Sequence, residues 1–163
     1  QQVSQIYSEA GYPMIWTTPS DFICQMNYPK LEKDRVKTVL DGSIYTYTEA
    51  KETGLINQRR VSQGASPNFI HSLDAAHMML TTLKANTLGV DDFQMIHDSY
   101  GIHAHNLPLL SKVLREEFHG MYQEDHLEGL RNQLQAYGPE LPPPPQGGSL
   151  DISGVLKSQF FFC

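Results

Sequence analysis

Apolar and polar residues change period several times along the chain, and each change marks an element. Residues 1–12 end a helix at Gly11. Met14-Ile15-Trp16-Thr17 and Phe22-Ile23-Cys24-Gln25-Met26 are two aromatic and β-branched runs around Pro19-Ser20-Asp21, which predicts a hairpin. A second hairpin is expected over residues 34–48. There Val36, Val39, Ile44, Tyr45 and Tyr47 flank Asp41-Gly42, a dipeptide suited to two-residue turns. Residues 49–65 are polar and show no clear period. Phe69, Ile70, Leu73, His77, Leu80 and Lys84 then follow at helical spacing. Ser66 stands where a cap belongs and Pro67 suits a first helical position, so the spacing predicts a helix over residues 67–86, closed by Asn86 and Gly89.

The pattern tightens downstream. Phe93-Gln94-Met95-Ile96 and Tyr100-Gly101-Ile102-His103 read as strands around a polar break, His97-Asp98-Ser99, and so predict a hairpin with an acid near its tip. Helices are expected over residues 107–122 and 127–137. Leu110, Val113, Leu114, Phe118 and Met121 give the first an apolar stripe. Pro142 to Pro145 with Gly147-Gly148 form an extended spacer. A short helix over residues 150–157 precedes the aromatic ending Phe160-Phe161-Phe162-Cys163. The fold class is α+β, with no internal repeat and no apolar run long enough to span a bilayer. The chain opens on Gln1-Gln2-Val3 without an initiator Met and reads as the tail of something longer.

Charge alters this picture by its distribution. The net charge of −6 argues against nucleic-acid binding by the whole surface. Residues 1–60 are balanced, with seven basic and seven acidic side chains, and residues 61–163 carry the whole excess. Lys30, Lys33, Arg35 and Lys37, and separately Arg59 and Arg60, are basic clusters that could meet phosphates. Interleaved Glu32 and Asp34 fit a plain solvated face equally well. Cys24 and Cys163 fit no metal or disulfide framework, although a bond between them is possible.

Asp98 is the residue with the clearest chemistry. A carboxylate fixed where two strands meet can hold a divalent metal. Mg²⁺ takes oxygen ligands, commonly one or two carboxylates plus substrate phosphates. On spacing alone a turn aspartate is more often only a turn residue. His71 and His77 stand six residues apart and share no helical face, which counts against a zinc pair. His77 lies on the apolar stripe and reads as a core histidine. His71 could hydrogen-bond Asp74. His103 and His105 alternate on one side of the expected strand and, with His97, lack a cysteine or acid to complete a zinc site.

The words around Asp98 add a resemblance. Ile96-His97-Asp98-Ser99-Tyr100-Gly101 closely resembles the third palm motif of the single-subunit phage and mitochondrial DNA-dependent RNA polymerases. Pro67-Asn68-Phe69-Ile70-His71-Ser72-Leu73-Asp74-Ala75-Ala76-His77-Met78 is similar to the helix before that motif, and Trp16-Thr17-Thr18-Pro19-Ser20 to the family's Trp-x-Thr-Pro hairpin. The aromatic ending matches too. The resemblance implies RNA synthesis on DNA from nucleoside triphosphates, by two Mg²⁺ ions held in the palm. It implies that Asp98 is the family's second catalytic aspartate and that His97 sits beside the active site and primer end. His71 would lie near the nascent base pair. Ser99 and Tyr100 would be close to substrate, with Tyr100 more structural than catalytic, and Arg59 and Arg60 would touch template phosphates or only solvent. Phe161, Phe162 and the Cys163 carboxylate would buttress the site.

On this resemblance residues 1–70 correspond to the end of the fingers region, and residues 71–163 to the C-terminal half of the palm. The expected partners are the DNA template, the RNA transcript, the triphosphates and the upstream part of the same polypeptide, in a monomeric enzyme away from membranes. The family's other metal-binding Asp, and its fingers helix bearing Lys, Arg and Tyr, are not found in these residues. The stretch taken alone is therefore expected to be inactive. A DNA polymerase with a related palm and a non-catalytic, palm-like interaction module are the alternatives. Gly101 after Tyr100 is phage-like, and the expected place of action is the cytoplasm of a phage-infected bacterium, with a mitochondrion or plastid as the alternative. The Leu73–Met78 stretch and the aromatic ending lean towards a mitochondrial or plastid enzyme.

Overall fold

The computed structural model describes residues 2–161. In order it contains α1 (Gln2–Glu9), β1 (Met14–Thr17), β2 (Ile23–Met26), β3 (Pro29–Leu40), β4 (Ser43–Ile56), α2 (Gln58–Thr87), β5 (Gln94–Ile96), β6 (Ser99–Gly101), α3 (Leu107–Met121) and α4 (His126–Gln135). A 3₁₀ turn at Ala104–Asn106 leads into α3, and another at Ile152–Leu156 lies near the end. The strands form three separate antiparallel hairpins, β1-β2, β3-β4 and β5-β6, all packed with or projecting from a helical body. This mixed helix-and-hairpin architecture agrees with the α+β expectation. Among the described residues no helix is long and apolar enough to cross a membrane.

The main core gathers the first half of the chain around α2. Tyr7 from α1, Met14 and Trp16 from β1, Met26 from β2, Val61 and Ala65 from α2, Leu134 from α4, and Leu141 pack together. The two buried polar tips are satisfied. The Trp16 indole N–H donates to Ser72 Oγ at 3.0 Å, and the Tyr7 hydroxyl donates to the Leu134 carbonyl. Burial pushes the Tyr7 phenol up to about 12. Farther along α2, Leu73 and Ala76 pack on Met121, and Ala85 packs on Val90 and Val113. One long helix thus serves three successive clusters.

The start of α2 corrects the sequence expectation. The helix begins at Gln58, and Pro67 lies inside it. Asn57 is the cap: its side-chain oxygen accepts from the Arg60 N–H at 3.1 Å. An interior proline costs a helix about 3 kcal/mol, because it removes one N–H and crowds the preceding turn. Here the turns before it bury Val61 to 1% and Ala65 to 8% exposure, and that burial outweighs the local preference to start at Pro67.

The hairpin turning at Asp41-Gly42 is also longer than the sequence suggests, reaching from Pro29 to Ile56. Both turn residues have positive φ, 50° and 77°, as a two-residue hairpin turn of this kind needs. Beyond its root the arm is exposed on both faces. Alternation arises only when one face is buried, and this explains why residues 49–56 show no period. The Pro142–Pro145 run is extended as expected but is not a detached spacer. With Val3, Met14 and Phe69 it lines a cleft of about 420 Å³, and Leu141 before it is buried. The expected helix over 150–157 is the shorter 3₁₀ turn, capped by Asp151, whose carboxylate accepts from the Ser153 N–H at 2.9 Å.

Asn57→Ala is expected to lower stability by about 1 kcal/mol, the usual value of a side-chain cap. Ser66→Ala should leave stability almost unchanged, because Ser66 lies within α2. Thermal melting of the two variants checks this, and the reverse order would place the helix start at Pro67 after all.

Candidate active site

The β5–β6 hairpin pairs Gln94 with Gly101, Met95 with Tyr100 and Ile96 with Ser99. His97 and Asp98 alone form its loop, so Ser99 opens β6 instead of belonging to the break. His97 has φ 54°. Residues with a side chain seldom adopt that conformation, although histidine tolerates it better than most. At the hairpin's open end a side chain on Gly101 would come within 3.2 Å of the Gln94 carbonyl, so glycine permits the close strand approach. Asp98 is thereby held at the tip of a very short hairpin with its carboxylate exposed.

What fixes the hairpin is Tyr100, directly behind the tip. Its ring meets the His77 ring edge-on at 6.3 Å, and its hydroxyl lies 3.4 Å from His77 Nδ1. His77 is 5% exposed, and its Nε2 lies 2.9 Å from the Leu114 carbonyl. A carbonyl only accepts, so Nε2 carries the proton. In the neutral ring Nδ1 is then the acceptor for the Tyr100 hydroxyl. Tyr100 is pushed up to about 12 by burial, and then by the negative charges of Asp74 and Asp98. Burial also lowers His77, against opposing pulls from the Leu114 carbonyl, Asp74 and Glu117. The core reading of His77 therefore agrees with the structure, but this histidine also holds the hairpin.

A cavity of about 480 Å³ opens beside the tip, lined by Asp98, Ser99, Tyr100, Ser111, Arg115 and Phe161 among others. Phe118 stacks edge-on against His77 at 5.4 Å, and Phe161 against Phe118 at 5.1 Å. Phe161 thus reaches the wall of the cavity, while Phe162 and Cys163 lie outside the described residues. So does any bond from Cys24 to Cys163. Burial raises the Cys24 thiol, partly offset by Ser72.

The other sequence-derived residues are dispersed. His71 is exposed on α2 and borders a different cavity, about 330 Å³, with Trp16, Cys24, Gln25, Asn68 and Ser72. No hydrogen bond joins it to Asp74 among the described residues. His103 and His105 lie after β6 instead of alternating along it: their rings stack at 6.0 Å, and His103 pairs with Asp92 at 3.3 Å. Among the described residues no group of three His, Cys, Asp or Glu side chains could hold a metal.

Arg59 and Arg60 sit exposed in the first turn of α2, at the root of the β3–β4 arm, with Arg60 over the Tyr28 ring at 5.3 Å. The arm sorts charges that the sequence mixes. Lys33, Arg35 and Lys37 share one face with Ala50, Thr48 and Thr46 opposite. Glu32, Asp34, Glu49 and Lys51 share the other, where Lys51 pairs with Asp34 and Glu49 at 3.5 Å each. Sequence reasoning missed Arg115 and the joint use of His77 and Tyr100. The only signal for either was an arginine beside the α3 stripe and a histidine within the α2 stripe.

A family model described as DNA-dependent RNA polymerase matches residues 1–141. The chain is similar to "DNA-directed RNA polymerase 1, mitochondrial" of Nicotiana sylvestris, with 35% identity over 98% of this chain and 16% of that protein. It is similar to "DNA-directed RNA polymerase 1A" of Nicotiana tabacum, with 36% identity over 96% of this chain and 99% of that sequence. Likewise it resembles "DNA-directed RNA polymerase 2, chloroplastic/mitochondrial" of Arabidopsis thaliana, with 35% identity over 99% of this chain and 16% of that protein. The chain thus spans about a sixth of the long relatives it matches.

The neutral His77 gives folding a pH dependence of definite sign. Its native pKa lies below the ordinary 6.5, so the unfolded chain binds the proton more tightly. Its contribution is complete above that ordinary value and is lost as pH falls towards the native one. The melting temperature should drop between about pH 7 and pH 5. His77→Gln, which keeps a donor for Leu114, should show a shallower drop. Equal slopes in the two proteins would contradict this.

Proposed function

Because this chain belongs to the DNA-dependent RNA polymerase family, of the single-subunit type, we propose that it is the carboxy-terminal part of an enzyme that copies DNA into RNA from nucleoside triphosphates. The single observation that carries the reading within the structure is the placement of Asp98. A carboxylate at the tip of a pinned hairpin, beside an open cavity, is suited to hold a hard cation against a substrate phosphate.

The donor set fits Mg²⁺, but only in part. Asp98 offers exposed carboxylate oxygens, and no three-ligand group occurs among the described residues. The proposed site is therefore shared: Asp98 supplies one carboxylate, and the upstream part of the same polypeptide supplies another. When bound, two such ions would activate the RNA 3′-hydroxyl and neutralise charge on the departing pyrophosphate. The task of this chain is to hold Asp98 still, through Tyr100 and His77, while the loop presents His97 to the primer end and Ser99, first in β6, lies close to the substrate.

His71, on the other cavity, is assigned to the nascent base pair. Arg59, Arg60 and the Lys33-Arg35-Lys37 face are assigned to nucleic-acid phosphates. Phe162 and Cys163 are assigned to the buttress that Phe161 begins. Residues up to about 70 would then close the fingers and the remainder would form the C-terminal half of the palm. The family match disfavours a DNA polymerase. Plant relatives named as mitochondrial and chloroplastic favour an organelle over a phage-infected bacterium as the place of action.

Two outcomes test this. The purified 163-residue chain should not extend a primed template with Mg²⁺ and triphosphates, and template-dependent extension by it would refute the shared site. In the polymerase that carries these residues, Asp98→Asn should abolish extension while DNA binding is largely retained. Near-normal turnover in that variant would remove Asp98 from the site.

A further inference from the structure

The segment after α4 that reaches the Asp98 cavity has little of its own to hold it there. Between Leu150 and Phe161 no side chain is fully buried, and Leu150 and Phe160 are 87% and 75% exposed. The 3₁₀ turn within it is only five residues long. Such a segment stays docked only if something fastens its backbone.

Arg115, half-buried on α3, does so. Its Nη1 donates to the Val155 carbonyl and the Ser158 carbonyl, each at 2.7 Å. One guanidinium nitrogen therefore spends both its hydrogens on two carbonyls three residues apart. The same guanidinium lies over the Phe161 ring at 5.3 Å. Three contacts from one side chain fix the turn, Ser158 two residues beyond it and the aromatic ring that follows. Phe161 then packs on Phe118, Phe118 on His77, and His77 on Tyr100. The series ends two residues from Asp98. Arginine suits this place because its donors are held in a rigid plane that also stacks on a ring, which a lysine ammonium does not reproduce.

We propose that Arg115 is a positioning residue for the reaction at Asp98: it clamps the carboxy-terminal segment onto α3 and so sets Phe161 in the wall of the Asp98 cavity, supporting Tyr100 from behind. This rests on the polymerase reading above. The segment would act as a strap whose seat is α3 and whose far end shapes the site. Arg115 itself need not touch the substrate.

The test is a double-variant cycle in the polymerase that carries these residues: Arg115→Gln, removal of residues 159–163, and both together. Nucleotide addition is followed as kcat and KM, with melting as a control. If Arg115 acts through the strap, Arg115→Gln lowers kcat by about tenfold to a hundredfold, the scale of a small misplacement of reacting groups, and leaves the triphosphate KM nearly unchanged. The truncation alone causes a similar loss, the double variant loses little more, and Arg115→Lys recovers part of it. Losses that multiply in the double variant, or a loss confined to KM or to melting, overturn the proposal. Hydrogen exchange on the 163-residue chain keeps the clamp separate from the reading of function. Amides of residues 152–161 should exchange roughly tenfold faster in Arg115→Gln, as expected when hydrogen bonds to a charged group are lost. Unchanged exchange overturns the clamp itself, whereas a wild-type polymerase that does not extend overturns the polymerase reading and leaves the clamp standing.

Discussion

The bond from His77 to the Leu114 carbonyl joins the two helices on which the candidate site is built. It does more than tie α2 to α3. By committing Nε2 as the donor it leaves Nδ1 as an acceptor, and that acceptor faces the Tyr100 hydroxyl. A three-residue strand has too few hydrogen bonds to hold its own direction against a moving substrate. The β5–β6 hairpin borrows rigidity from the helical pair, and Asp98 inherits it. The arrangement works only with a neutral imidazole, which burial secures.

Legibility from sequence followed burial closely. The β1–β2 hairpin and α3 were readable because each buries one face and exposes the other, leaving a period in the text. The Asp41-Gly42 turn was readable because its positive φ angles suit very few residue pairs. The long arm around that turn was not, because exposed strands impose no alternation. The start of α2 differs from the local signal for another reason. Ser66-Pro67 is a sound local start, and the distant core cluster that Val61 and Ala65 join overrides it. Polar and apolar residues continue to alternate as far as His103, which suggests a longer strand than β6, whose pairing stops at Gly101.

The site divides in the same way. Asp98 was visible through the words around it and His77 through its stripe, but their connection was not. It depends on Tyr100 reaching back across a turn to a helix more than twenty residues earlier, and on α3 supplying Leu114. Arg115 left still less trace, since what it binds is backbone carbonyls, which carry no side-chain signature. The charges of the β3–β4 arm were visible as a mixture. Pairing register alone separates them into a basic face and a mostly acidic one, so that a net charge of −6 coexists with a local surface suited to phosphate.

The polymerase reading of the site turns on Asp98 being a metal ligand. The most direct measurement is a Mn²⁺ titration of the 163-residue chain followed by amide NMR, which detects even weak paramagnetic binding residue by residue. The account predicts that the signals of His97, Asp98 and Ser99 broaden first and that Asp98→Asn removes that broadening. Broadening that begins instead around Glu124 and Asp125 or around Asp91 and Asp92, with the β5–β6 loop unaffected, would contradict it.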